Sequence, residues 1–98
     1  MATFITTIKF TQQGISNFPD TVRRATAFKG VAKKMGAKVT ATYWTLGAFD
    51  GVLLFDAPDD ETATAVMLHL GWLGFVQTQT ARAFAPNEME KILAMTEQ

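Results

Sequence analysis

The fold class this sequence predicts is α+β, a two-layer sandwich with the element order βαββαβ and a further helix at its end. Three observations predict it. Four segments alternate with the two-residue period of a strand, two segments among them repeat at spacings of three and four, and Gly47 marks a turn that joins two strands directly. The 98 residues make one domain, large enough to bury roughly 60 to 70% of its unfolded surface without staples.

Thr3 to Phe10, "TFITTIKF", sets Phe4, Ile8 and Phe10 on one side and Ile5, Thr7 and Lys9 on the other, as a β-branched and aromatic strand does. A helix follows from about Asp20 to Met35, with Phe18, Val22, Ala25, Phe28, Ala32 and Met35 as its apolar stripe, Asn17 or Asp20 as its cap, and Gly36 at its end. Lys38 to Leu46, "KVTATYWTL", reads as the second strand, with Val39, Ala41, Tyr43 and Thr45 opposite Thr40, Thr42, Trp44 and Leu46. Gly47 and Ala48 then make a two-residue hairpin of the II′ type.

The third strand runs from Phe49 to about Asp56, and its apolar "VLLF" core suits a central strand covered on both faces. Pro58 stops it. Asp59 caps a second helix whose first turn carries Asp60 and Glu61, where the helix dipole favours negative charge. Ala63, Val66, Met67, Leu70 and Leu73 form its core stripe, while Ala65, Leu68 and Trp72 give it a second apolar face in need of a partner. The fourth strand is Phe75 to Phe84, and "NEMEKILAM" forms the terminal helix.

Composition excludes several functions. There is no cysteine and a single histidine, so disulfides, thiolate catalysis and cysteine-type zinc sites are ruled out. "MATFITTIKF" has no basic leader region, and no apolar run approaches the ~20 residues of a membrane span, so the expectation is a cytoplasmic protein off the membrane. Net charge is zero, but the first half holds Lys9, Arg23, Arg24, Lys29, Lys33, Lys34 and Lys38 against Asp20 alone. Most of these lie on one helix without interleaved aromatics, which reads as a solvated face rather than a nucleic-acid site. A basic helix against an acidic one is a second use, in self-association.

Two split βαβ units joined at Gly47 give a four-stranded ferredoxin-like sheet with strands one and three as central neighbours and both helices on one face. The other face is too apolar to be left in water, and a homodimer packed sheet to sheet is the economical cover. The hairpin Gly47 to Asp50, the helix entry "APDDETA" and the strand "TQTARAF" resemble the GYD domain family of small bacterial proteins, over about Phe4 to Phe84. The resemblance implies a dimeric α/β barrel fold and a homo-oligomer, and it carries over no catalytic residues. Where the family signature has tyrosine this chain has Phe49, which cannot donate a proton and suits a packing role.

Candidate functional residues are few. Asp50 begins a strand beside a glycine turn, either as a turn aspartate accepting backbone N–H groups or as a site carboxylate. Asp56 is an exposed strand end or reaches an apolar pocket. His69 is the one side chain poised to titrate near neutrality, and beside a structural role it is a candidate general base or haem ligand. Arg82 pairs with Asp50 or Asp56, or recognises an anionic substrate. Tyr43 and Trp44 present one ring to each sheet face. Tyr43, Trp44, Phe49 and Asp50 are the expected ligand-binding residues, and Asp50, His69 and Arg82 the catalytic candidates; no metal or cofactor is expected.

Three readings follow: a homo-oligomer that binds a small apolar or aromatic ligand at the sheet face; a cofactor-independent monooxygenase or isomerase acting on a small aromatic substrate; and a self-assembling structural protein.

Overall fold

In the computed structural model, which describes residues 1–97, the Thr-, Ile- and Phe-rich start forms strand β1 (Ala2–Phe10). It lies between two antiparallel neighbours, β3 (Gly51–Ala57) and β4 (Val76–Ala83), and β2 (Lys38–Trp44) completes the sheet in the order β2-β3-β1-β4. This is the ferredoxin-like arrangement, with strands one and three central as expected.

Helices α2 (Thr21–Lys34) and α3 (Asp60–Trp72) cover one face of the sheet. Phe28 and Ala32 of α2, Ala63 and Val66 of α3, and Phe4, Leu53 and Phe55 of the sheet form one buried core. Phe4 and Phe55 stack with centroids 5.2 Å apart, an arrangement that contributes about 0.5–1.5 kcal/mol beyond burial. Buried Thr6 satisfies its hydroxyl 2.8 Å from that of Thr80.

On the other face, cross-strand partners Ile5, Leu54 and Ala41 form one row, and Thr7, Val52 and Tyr43 form the next. Ile5 is 38% exposed and Tyr43 63%. The apolar residues of β3 therefore alternate between a packed core and an uncovered face.

One irregularity decides which way Trp44 points. The β2–β3 register shifts between Val39 and Ala41, so Thr40 is an extra residue in the ladder. Val39 pairs with Phe55 while Thr42 and Trp44 pair with Leu53 and Gly51, which puts all of them on the helix-covered face. Strict alternation sets Val39 and Trp44 on opposite faces; the bulge corrects that expectation and leaves Tyr43 on the open side.

Further expectations are corrected. The first crossover contains a short helix α1 (Gln12–Ser16) and a 3₁₀ turn (Phe18–Asp20) before α2 begins at Thr21. Phe18 and Val22, expected in the core, are 58% and 61% exposed: Phe18 lies in the 3₁₀ turn outside α2, and Val22 stands about 120° around the helix from Phe28, which with Ala32 marks its buried side. Of the two expected caps, Asp20 stands at the N-cap position of α2, but its side chain makes no cap bond and forms an exposed ion pair with Arg23 at 3.0 Å instead.

The β2–β3 connection spans residues 45–50 rather than two residues. Thr45 N–H donates to the Asp50 carbonyl at 3.0 Å and Thr45 Oγ1 to the Phe49 carbonyl at 2.7 Å, while Gly47 keeps a left-handed φ of 122°. At α3, Asp59 is the cap as expected, accepting from Thr62 N–H at 2.7 Å. The terminal helix α4 (Pro86–Ala94) buries none of its residues, and it leaves Leu68 and Trp72 of α3 at 69% and 80% exposure.

Candidate functional site

Between the sheet and the two covering helices lies a cavity of about 270 Å³. Its walls are apolar, with Phe28 from α2, Leu53 from β3, Leu70 from α3 and Phe75 at the start of β4. Gly51, which opens β3 with no side chain on the helix face, opposite Trp44 and Ile8, forms part of its floor. A Cβ on Gly51 would stand 3.1 Å from the Tyr43 carbonyl and intrude on that space. Trp44 closes one side, its indole N–H donating to Thr21 Oγ1 at 3.0 Å and tying the end of β2 to the first turn of α2.

Four ionisable side chains border the cavity, Arg24, Tyr43, Asp50 and His69, beside the hydroxyls of Thr21 and Thr42. Asp50 is committed to structure, because its Oδ2 accepts the N–H of Phe10 at 2.8 Å and its own N–H donates to the Ile8 carbonyl at 2.7 Å. It accepts a backbone N–H as a turn aspartate would, but across the sheet rather than within its own loop. His69 lies on α3, its ring centroid 6.1 Å from that of Trp72.

Arg24 is the residue that sequence reasoning passed over. Nη1 donates to the Asn17 carbonyl at 2.8 Å, and the guanidinium carbon sits 4.3 Å from the centre of the Phe75 ring. Nη2 is buried and has no hydrogen-bond partner among the described residues. No carboxylate lies within salt-bridge distance of Arg24 among them. A buried donor left unmade costs about 1–3 kcal/mol, and more when charged. The signal was available: Arg24 stands four residues before Phe28, on the inner face of the helix, whereas Arg23 points to water with 79% of its side chain exposed.

The other candidates lie elsewhere. Arg82 pairs with Phe4, near the far end of β1 from the Phe10 that Asp50 holds; six residues of strand separate the two positions by about 20 Å. Asp56 is opposite Thr3 on the open face and accepts its hydroxyl at 2.8 Å, so it points away from Arg82. The expected bridge from Arg82 to Asp50 or Asp56 is thus replaced by an ion pair with Glu88 of α4 at 3.1 Å, supported by contacts to the Thr3 and Ala83 carbonyls and the Phe84 ring. Glu88 also accepts the Ala85 N–H at 3.1 Å, and this bond, with Arg82, holds its carboxyl below the ordinary value. Phe49 is half-buried in the hairpin and does not line the cavity. Tyr43 contributes to the cavity rim from β2, although its strand position belongs to the open face.

The arrangement offers a largely apolar chamber bordered by one guanidinium group with no ion-pair partner among the described residues, one carboxylate, one phenol and one imidazole. Among the described residues no group of three His, Asp or Glu side chains comes together to hold a metal ion, and no helix is long and apolar enough to cross a membrane.

Fold and cavity together define a ferredoxin-like α+β protein with one bare sheet face and an apolar chamber beneath its helices. The GYD domain model matches residues 4–93, and the chain belongs to the GYD domain family. A protein of Thermus thermophilus described as "Glutamine synthetase and cystathionine beta-lyase binding protein" is 31% identical over 86 residues, which cover 85% of this chain and 88% of that relative.

Proposed function

We propose that this protein is a homodimeric binding module that holds a small apolar or aromatic ligand in the cavity between the sheet and helices α2 and α3. The observation that carries the reading is the cavity itself, apolar on its walls and polar at a few points, which is the usual make-up of a ligand site. Binding is favoured over catalysis because Asp50 is engaged with the backbone and Arg82 lies at the other end of β1. The Ile5, Leu54 and Tyr43 face supports the dimer, since a second copy would remove it from water. Native mass spectrometry with light scattering tests both parts: a dimer carrying an organic molecule is expected. A strict monomer at micromolar concentration overturns the dimer, and a cavity that takes up no apolar compound overturns the ligand.

A second reading is favoured by the exposed Leu68 and Trp72 on the outer face of α3 together with the description of the relative. Here the module binds metabolic enzymes, with glutamine synthetase and cystathionine beta-lyase as the first partners to try. Co-elution of the purified proteins on a sizing column is expected, and Trp72→Ala should abolish it. Independent elution of the wild-type protein and each enzyme overturns this reading.

A further inference from the structure

The two edges of the sheet are built differently. β2, at one edge, opens with Lys38 and is broken by the bulge at Thr40, two devices that keep an edge strand from pairing with another chain. β4, at the other edge, has neither. It pairs with β1 over eight unbroken positions, from Thr3 and Ala83 to Phe10 and Val76, and with no strand on its outer side among the described residues. It holds no proline and one charge, Arg82, which Glu88 already engages. Such an edge presents a row of free backbone N–H and C=O groups to a further strand.

The helix above this edge is open on the same side. α3 lies over β1 and β4, where Met67 Sδ stands 3.4 Å from Thr6 Oγ1, itself 2.8 Å from Thr80 Oγ1 of β4. Met67, Leu68 and Gly71 share a shallow groove with Thr78 of β4, and Thr64 stands on the same side of the helix, three residues before Met67. Leu68 is 69% exposed, and a Cβ on Gly71 would meet nothing within 4 Å.

A second copy joined antiparallel at β4 keeps its helices on the same face of the sheet, because the two-fold axis then runs perpendicular to that sheet. With strands about 4.8 Å apart, its α3 falls two strands over, at about 10 Å, the separation at which helices pack. One symmetry operation therefore pairs the free edge and brings the two open helix sides together.

We propose that β4 is an interface for a second copy of this chain, which pairs β4 with β4 antiparallel and packs Thr64, Met67, Leu68 and Gly71 of α3 against the same residues of its partner. The interface rests on neither reading above, since it leaves the cavity and the open sheet face untouched and can join two sheet-to-sheet dimers. Roughly a dozen residues a side is about half of a standard interface, so the contact forms at NMR concentrations and is largely apart at micromolar ones.

The test is amide hydrogen exchange, followed by NMR on the full chain at about 0.5 mM, where an interface of this size is populated. In a free edge strand every second amide faces water and exchanges fast, whereas pairing protects them all. The wild-type chain is expected to protect every amide from Gln77 to Arg82. Gly71→Arg, whose side chain has open space within one copy and none in the contact, should speed the outward set about tenfold or more and halve the mass seen by sedimentation. Leu68→Lys should do the same and serves where the first variant does not fold. Leu54→Lys, which acts on the open face, should leave the β4 amides protected.

Fast exchange of alternate β4 amides in the wild-type chain overturns the proposal, as does a mass that neither α3 variant changes. Loss of β4 protection in Leu54→Lys overturns a separate interface at this edge. Exchange that slows only when glutamine synthetase or cystathionine beta-lyase is added gives the edge to a foreign strand and overturns the second copy.

Discussion

The carboxylate of Asp50 accepts the backbone N–H of Phe10 at 2.8 Å, while the N–H of Asp50 donates to the carbonyl of Ile8 at 2.7 Å. The β1–β3 ladder has its last partner pair at Ile8 and Gly51, so Asp50 extends the pairing two residues further along β1 with a side chain in place of a backbone carbonyl. The aspartate of the hairpin is thereby explained as a clamp between the two central strands.

Replacing Asp50 by Ala should lower stability by about 1.5–3 kcal/mol, the range for a hydrogen bond to a charged group. Asp50→Asn, which keeps an acceptor oxygen, should lose less. Urea denaturation measures both, and unchanged uptake of an apolar compound by Asp50→Asn would separate the clamp from any part in the cavity's ligand.

Gly14→Ala should destabilise the protein by about 2–3 kcal/mol, at the upper end for overpacking a closed site. Thr11 binds α1 to the start of β4 through its N–H to the Phe75 carbonyl at 3.1 Å and its hydroxyl to the Gly74 carbonyl at 2.6 Å. A Cβ on Gly14 would fall 1.9 Å from the Phe75 carbonyl oxygen, so the backbone must move. Alanine's better helix propensity, worth about 1 kcal/mol, does not offset this. The midpoint of chemical denaturation reads the difference.

If the open face joins two copies, Leu54→Lys should convert the dimer to a monomer. Leu54 is central on that face, paired with Ile5 and Ala41, and a lysine there sets two ammonium groups near the two-fold axis. Light scattering should show the halved mass, with the far-ultraviolet circular dichroism unchanged.

Acid should loosen α4 first at Glu88. Its folded-state pKa is lowered by the Ala85 N–H and then by Arg82, so its contribution is fully present above the ordinary value of 4.5 and is lost as pH falls through the lowered value. Asp59, lowered by its bonds to Thr62, behaves in the same sense at the start of α3. Thermal denaturation across the acid range should show a slope that Glu88→Gln reduces below the ordinary glutamate pKa.

The sequence by itself determined the element order, the central place of β1 and β3, the cap at Asp59 and the two apolar faces of β3, because these follow from local periodicity and capping chemistry. Tertiary structure alone decided three other matters. The bulge at Thr40 turned Trp44 toward the helices, since a ladder register depends on the partner strand. The crossover placed Phe18 in a 3₁₀ turn outside α2 and packed that helix through Phe28 and Ala32, leaving Phe18 and Val22 in solvent. That same helix carries Arg24 on its inner face beside Phe75, fifty-one residues away in the chain. The four-residue spacing to Phe28 places Arg24 on the inner face already in the sequence, but the ring and the cavity it meets there are built by distant segments, so its setting was decided only by the tertiary structure.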